Sequence, residues 1–194
     1  MLNKLTRLLL ALIFMLQLAA CSVTQEEASS SASTVKNPVY IEAVAAMKSG
    51  DLDKARSLFL EVIDKQPGLA NAHVNMGIIF IKNKSFEEAE NAFNRALTLN
   101  PNNFYALNQL GFLYRKQGDF SKAKMSYEKA IDINSNYAYA HLNLGILYDL
   151  YIYDLESAIE QYKIYNELSK EEDKLVGKWI FELERRQKKP LAPK

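Results

Sequence analysis

Three side chains stand apart by type in this sequence: Cys21, the only cysteine, and His73 and His141, the only two histidines. A lone cysteine cannot close a disulfide within its own chain, so its thiol is left for another fate. The histidines lie 68 residues apart, and metal or acid–base duty would require further histidines or carboxylates converging on them at ligand spacing. The sequence supplies no such partners, so both are expected to be packing residues. No phosphate-binding glycine loop and no nucleophile motif occurs either. The expectation is a protein with no catalytic residues, no metal and no cofactor, and so not an enzyme.

What surrounds Cys21 assigns it a role. Lys4 and Arg7 precede an apolar run from Leu8 to Leu16, followed by the small residues Ala19 and Ala20. A charged start, a short apolar middle and a small-residue exit are the parts of an export signal. From Leu8 to Ala20 there are 13 residues, against about 20 for a membrane-spanning helix. The stretch Leu18-Ala19-Ala20-Cys21 closely resembles the lipobox of bacterial lipoproteins. That resemblance implies cleavage after residue 20, lipidation of Cys21, and a membrane attachment made permanent by three acyl chains. Ser22 rather than aspartate after the cysteine implies the outer membrane of a Gram-negative bacterium, facing the periplasm. Residues 21–36, rich in serine and threonine, read as the lipidated cysteine and a flexible tether, a coil spanning roughly 20 Å.

The rest of the composition is that of a folded protein, 48% hydrophobic and 24% charged. Without Lys4 and Arg7 the 24 basic residues fall to 22 against 23 acidic ones, a net of −1. That balance excludes a general electrostatic footprint for nucleic acid. The basic end (Arg185, Arg186, Lys188, Lys189, Lys194) reads as a solvated tail over 189–194.

Periodicity dominates the remainder. Gly77, Gly111 and Gly145 recur at intervals of 34, as do Ala55, Ala89 and Ala123, and Phe59, Phe93 and Tyr127. Pro67 pairs with Pro101, Ala96 with Ala130, and Gly50-Asp51 with Gly118-Asp119. Each unit reads as two helices, best seen over 70–103. Ala72, Met76, Ile79 and Phe80 mark a first helical face. Asn83-Lys84-Ser85 turns the chain, and Ser85 is placed to cap a second helix with Glu87 and Glu88 in its first turn. Phe86, Ala89, Phe93, Ala96 and Leu97 then face inward until Asn100-Pro101 ends the helix.

This period and pattern resemble the tetratricopeptide repeat, from about Asn37 to Leu168. The resemblance implies an all-α fold: a right-handed α-α superhelix of about four helix pairs (37–69, 70–103, 104–137, 138–169), closed by a capping helix over 170–188. Small residues at the crossings and rings in the gaps make such pairs close-packed, and stacking buries a core no single repeat could bury. In the first unit Glu42, Ala43 and Ala46 replace the usual leucine, glycine and tyrosine, as expected of an edge. Ser135 stands where proline is usual. The fourth unit carries one extra residue, with Ala158 lying 35 after Ala123 and Tyr165 at an alanine position, so less regular packing is expected there. The capping helix should bury a stripe of Leu175, Val176, Trp179, Ile180 and Leu183.

In this family the first helix of each pair lines a concave groove. Carried onto this sequence, the groove residues are Tyr40, Asn71, Asn75, Tyr105, Asn108, Gln109, Phe112, Tyr139 and Asn143, joined by Val44, Val74, Ile78, Leu142 and Ile146. The last three apolar positions other than Leu142, namely Val74, Ile78 and Ile146, suit inter-repeat core equally well. Amides can pair with a ligand backbone and tyrosines offer apolar contact area. The cationic clamp that some members use for acidic tails is not matched, since Tyr40, Val44, Tyr105 and Gln109 hold four of its positions and only Asn75 agrees. The family implies a protein or peptide partner in the groove and a scaffold that assembles or localises an envelope complex. Similar lipoproteins include pilotin-like assembly factors and adaptors of cell-wall enzymes, and the tail from Lys178 to Arg186 is similar to the ends of repeat proteins accompanying TonB–ExbB-type systems. The alternative is a receptor for free peptides or peptidoglycan fragments. A monomer or weak homo-oligomer is expected.

Overall fold

The computed structural model describes residues 37–169 and 173–188. The expected signal segment, Cys21, the tether and the 189–194 tail lie outside these residues. Among the described residues there are nine α-helices and no strand: α1 Pro38–Ser49, α2 Leu52–Lys65, α3 Ala70–Lys82, α4 Phe86–Leu99, α5 Phe104–Gln117, α6 Phe120–Ile133, α7 Ala138–Leu147, α8 Leu155–Leu168 and α9 Lys174–Lys188. They fall into two compact units that part between Leu58 and Phe59, within α2. In the first, Asn37 caps α1 by accepting the Tyr40 N–H at 3.1 Å. Ala43 and Ala46 are buried while Glu42 is exposed, bonded to Lys54 at 2.8 Å.

In the second unit α3 packs on α4, α5 on α6, and α7 on α8, each pair stacking on the next. The glycines are the points of closest approach. A β-carbon on Gly77 would run into the Phe93 ring, one on Gly111 would lie 2.5 Å from Tyr127 Cε1, and one on Gly145 2.6 Å from Tyr162 Cδ1. All three rings are fully buried, so they have no room to swing away. Ala89, Ala123 and Ala158 are fully buried too, leaving space for the rings one turn further on.

The turn between the helices of each repeat repeats its own geometry. Gly50, Lys84, Gly118 and Tyr153 are the four described residues with positive φ, at 85°, 62°, 84° and 65°. They share one repeat position, and the next residue is the N-cap of the second helix. Asp51, Asp119 and Asp154 each accept a backbone N–H at 3.1 Å. Ser85 is the N-cap of α4, as expected, but makes no side-chain capping bond.

The extra residue of the fourth unit is absorbed in one place. Tyr148–Ile152 form a π-helical turn that continues α7, the usual way to insert one residue into a helix without breaking it. Gly145 thereby still meets a buried ring, now 17 residues on instead of 16. The irregularity is confined to the turn. Packed on α8 is α9, through buried Val176 and Leu183 and through Trp179, whose ring lies 5.4 Å from that of Tyr162. Leu175, expected in this buried stripe, is 43% exposed. It lies a quarter-turn round from Val176, past the edge of the packed face.

Candidate partner-binding face

Successive first helices touch, α3 with α5 and α5 with α7, and the second helices do not do so to the same extent. The stack therefore bends with α3, α5 and α7 inside. These three helices carry no acidic residue, and their only cations are Lys82, Arg115 and Lys116, all in the last turn. Charge is carried by the second helices. A long uncharged strip thus runs along the inner row.

Most of the expected groove residues lie half-buried on this row: Asn71, Asn75, Tyr105, Gln109, Phe112, Tyr139, Leu142 and Asn143. Tyr40 and Val44, also half-buried, belong to the other unit. Val74, Ile78 and Ile146 are 4%, 8% and 1% exposed, which assigns them to the core. Asn108 is 3% exposed and its Oδ1 accepts from Asn143 Nδ2 at 3.0 Å. One repeat earlier, Asn71 Oδ1 accepts from Asn103 Nδ2 at 3.1 Å. These amides link consecutive repeats. Asn108 is a strut beneath the surface rather than an open contact, while Asn143 and Asn71 stay partly accessible.

The tyrosines converge. Tyr137 is buried and sits between two expected groove residues, its ring centroid 5.0 Å from Tyr105 and 6.1 Å from Tyr139. Phe104 lies 4.1 Å from Tyr105 and 5.0 Å from Tyr137, and Tyr165 lies 6.4 Å from Tyr139. Edge and tilted packing of this kind holds rings rigidly. Burial pushes the Tyr105 hydroxyl up to about 12, so it stays a neutral donor at any physiological pH. Tyr165, at its alanine position, extends the aromatic strip and reaches Asp173 with its hydroxyl at 3.4 Å.

Tyr137 and Asn103 were not anticipated, yet a signal existed. They share a repeat position with Leu69, and all three are buried. Arg115 was missed as well. It is 8% exposed, with its guanidinium 5.4 Å over Phe112 and 5.9 Å over Tyr151. Lys116 lies 5.3 Å from the Phe112 centroid, so that groove ring presents a face already occupied by cations. Beside it, burial raises Tyr127 to about 12, opposed by the nearby Arg115 charge. The π turn places Asp149 3.7 Å from Arg186 of α9, which ties the last helix to the same polar patch.

His141 is buried, with Nε2 donating to the Ser135 carbonyl at 3.0 Å and the Gln161 amide 2.8 Å from Nδ1. His73 occupies the same position two repeats earlier, where its buried Nε2 makes no hydrogen bond. Burial lowers its pKa, the Pro67 carbonyl opposes this, and Arg95 adds to it. Each ring packs between helices, and among the described residues no group of three potential metal ligands forms.

Residues 68–136, which hold α3 to α6, match the family model of the tetratricopeptide repeat. That segment is a tetratricopeptide-repeat segment, and the stacked helix pairs continue the fold past it. Solved structures carry the same fold. Pseudomonas aeruginosa pilF superposes with a TM-score of 0.69 at 18% identity over 76% of this chain and 67% of its own. MamA from residue 41 to its end, of Desulfovibrio magneticus RS-1, gives 0.62 at 22% over 77% and 84%. The first such domain of Spaghetti (RPAP3), bound to the HSP90 peptide SRMEEVD, gives 0.57 at 18% over 62% and 94%. No curated protein matches the sequence.

Proposed function

We propose that this protein is an adaptor, lipid-anchored through Cys21 to the periplasmic face of a Gram-negative outer membrane, that holds an uncharged segment of a partner protein along α3, α5 and α7. The observation that carries this reading is the inner row itself: amides and tyrosines at repeat spacing, with acidic residues absent and cations only at the helix ends. Extended segments held this way take backbone hydrogen bonds from amides and apolar contact from rings. The HSP90 peptide seen in Spaghetti carries three acidic side chains, whereas a ligand for this row gains nothing from negative charge. Its binding draws on burial and short-range hydrogen bonds, which salt screens little. The complex assembled would be one of the cell envelope, such as a secretin, a cell-wall enzyme or an energy-transducing system.

Photocrosslinker placed at Tyr105 or Tyr139 in cells should trap one protein, and the adduct should survive high salt. Crosslinker at Met125, 61% exposed on the outer helix α6, should not trap it. An identical adduct from all three positions would sink the groove reading. The anchor is tested separately: Cys21→Ser should abolish labelling by a fatty-acid analogue. Undiminished labelling of the serine variant would overturn that part.

A further inference from the structure

The outward face of α9 sets an exposed ring among cations. Lys174, Lys178, Phe181, Arg185 and Lys188 follow at i, i+4, i+7, i+11 and i+14, which at 3.6 residues per turn places them within an arc of about 80°. All five are exposed, opposite buried Val176 and Leu183. Phe181 is 69% exposed in the middle of the four cations. Gly177 adds no side chain, so Lys174, Lys178, Phe181 and Glu182 surround a shallow depression. Over the whole helix five basic residues face two acidic ones. Glu182 bonds Arg185 at 2.7 Å and Glu184 bonds Lys163 at 2.7 Å, which leaves Lys174, Lys178 and Lys188 as the surplus charge. After the helix the sequence adds Lys189 and Lys194, and before it Glu171, Glu172 and Asp173, so the surplus lies toward the C-terminal side of the face.

We infer that this face docks on an anionic phospholipid surface, with Phe181 entering the headgroup boundary and the lysines meeting phosphate. A solvent-exposed ring is costly on a protein surface and favourable at that boundary. The flanking lysines can lay their alkyl stems beside it and keep their ammonium groups among the phosphates. The cations lie along one helix side over roughly 20 Å, a line that suits a plane of headgroups. A surface of this strength binds weakly alone and becomes effective beside a second attachment.

The test uses the full chain with Cys21→Ser and Leu175→Cys, so that one environment-sensitive dye sits at the edge of the face. The apolar N-terminal segment attaches this chain to any vesicle, and the dye reports on α9 alone. In vesicles of phosphatidylcholine with phosphatidylglycerol, a quencher on the lipid headgroup should quench the dye several-fold more than in phosphatidylcholine alone. Lys174→Glu, Lys178→Glu and Lys188→Glu together should return quenching to the neutral-vesicle level, each lost cation weakening contact about 5-fold. Salt at about 0.5 M, where screening acts within ~4 Å, should do the same. Phe181→Ala should reduce quenching and leave its salt dependence in place. Helical circular dichroism should be unchanged in every variant, the substituted residues of α9 all being exposed. Equal quenching in the two vesicles, or quenching indifferent to charge reversal, would overturn the inference. A dye unquenched in both would also overturn it and would point to an acidic protein as the occupant.

Discussion

His73 and His141 occupy one position of the repeat and should respond in opposite ways to the same replacement, because both ring nitrogens of His141 are engaged while the buried Nε2 of His73 makes no hydrogen bond. The repeat between them holds Leu107 at that position, 4% exposed. His73→Leu should therefore stabilise the protein, since a buried polar atom without a hydrogen bond gives way to an apolar one. His141→Leu should destabilise it by about 1 kcal/mol; urea unfolding of the two variants at neutral pH checks both signs. The pH dependence follows from the lowered pKa of His73. The unfolded ring takes up a proton from about pH 6.5 downward, the folded one only at lower pH, so acid favours unfolding. This contribution is whole above pH 6.5 and is lost as pH falls through the folded value. His73→Leu should flatten the acid limb of the stability profile. At this scale the sequence was legible by type only. Repeat spacing identified both histidines as packing residues, but how many of their nitrogens find partners depends on Gln161 and on the Ser135 and Pro67 carbonyls. The amide links Asn71–Asn103 and Asn108–Asn143 were hidden for the same reason, because the offset between neighbouring helices selects the partner.

Elements were more legible, since an interval of 34, lengthened once to 35 in the fourth unit, marks the close approaches and the turns. Gly111→Ala puts a methyl against the fully buried Tyr127 ring. The helix gains up to about 1 kcal/mol of propensity, and overpacking costs about 1–3 kcal/mol. The net expectation is destabilisation, seen as a lower urea midpoint. Gly118→Ala tests a different cause at a glycine with open space around it, where only the positive φ objects; about 1 kcal/mol should be lost there. The Lys84-Ser85 turn can be improved from the chain's own template. It departs from Gly118-Asp119 at both residues, with a lysine at φ 62° and a serine that makes no side-chain capping bond. Lys84→Gly with Ser85→Asp should raise stability by about 1–2 kcal/mol, and thermal unfolding would show it as a higher Tm. The π turn was less legible. Counting located the extra residue within the fourth unit, but not its confinement to Tyr148–Ile152, which follows from the advantage of keeping Gly145 against a ring.

At the scale of the second unit, each helix pair leans mainly on its neighbours, so stability should be distributed along the stack rather than shared evenly. The far end depends on α9. Its buried Val176 and Leu183, the Trp179 ring against Tyr162, and the Arg186–Asp149 and Lys163–Glu184 pairs connect it to α8 and the π turn. The Lys163–Glu184 pair is exposed and contributes little, and the half-buried Arg186–Asp149 pair is long at 3.7 Å, leaving apolar burial as the main hold. Trp179→Ala with Leu183→Ala should cost on the order of several kcal/mol locally. Tyr162, fully buried beneath Trp179, would then face water, and with it the ring that fills the space at Gly145. Loosening should spread from α8 to α7 and weaken toward α3. Hydrogen exchange read by mass spectrometry should show protection falling first in 155–168 and 138–152, with 70–99 close to wild type. A uniform loss across all these segments would mean that the stack unfolds as one cooperative block, and the picture of neighbour-by-neighbour stability would fall. The Tyr105–Tyr137–Tyr139 strip spans the boundary of the affected zone. Partner binding in this variant should therefore weaken through Tyr139 before it is lost through Tyr105.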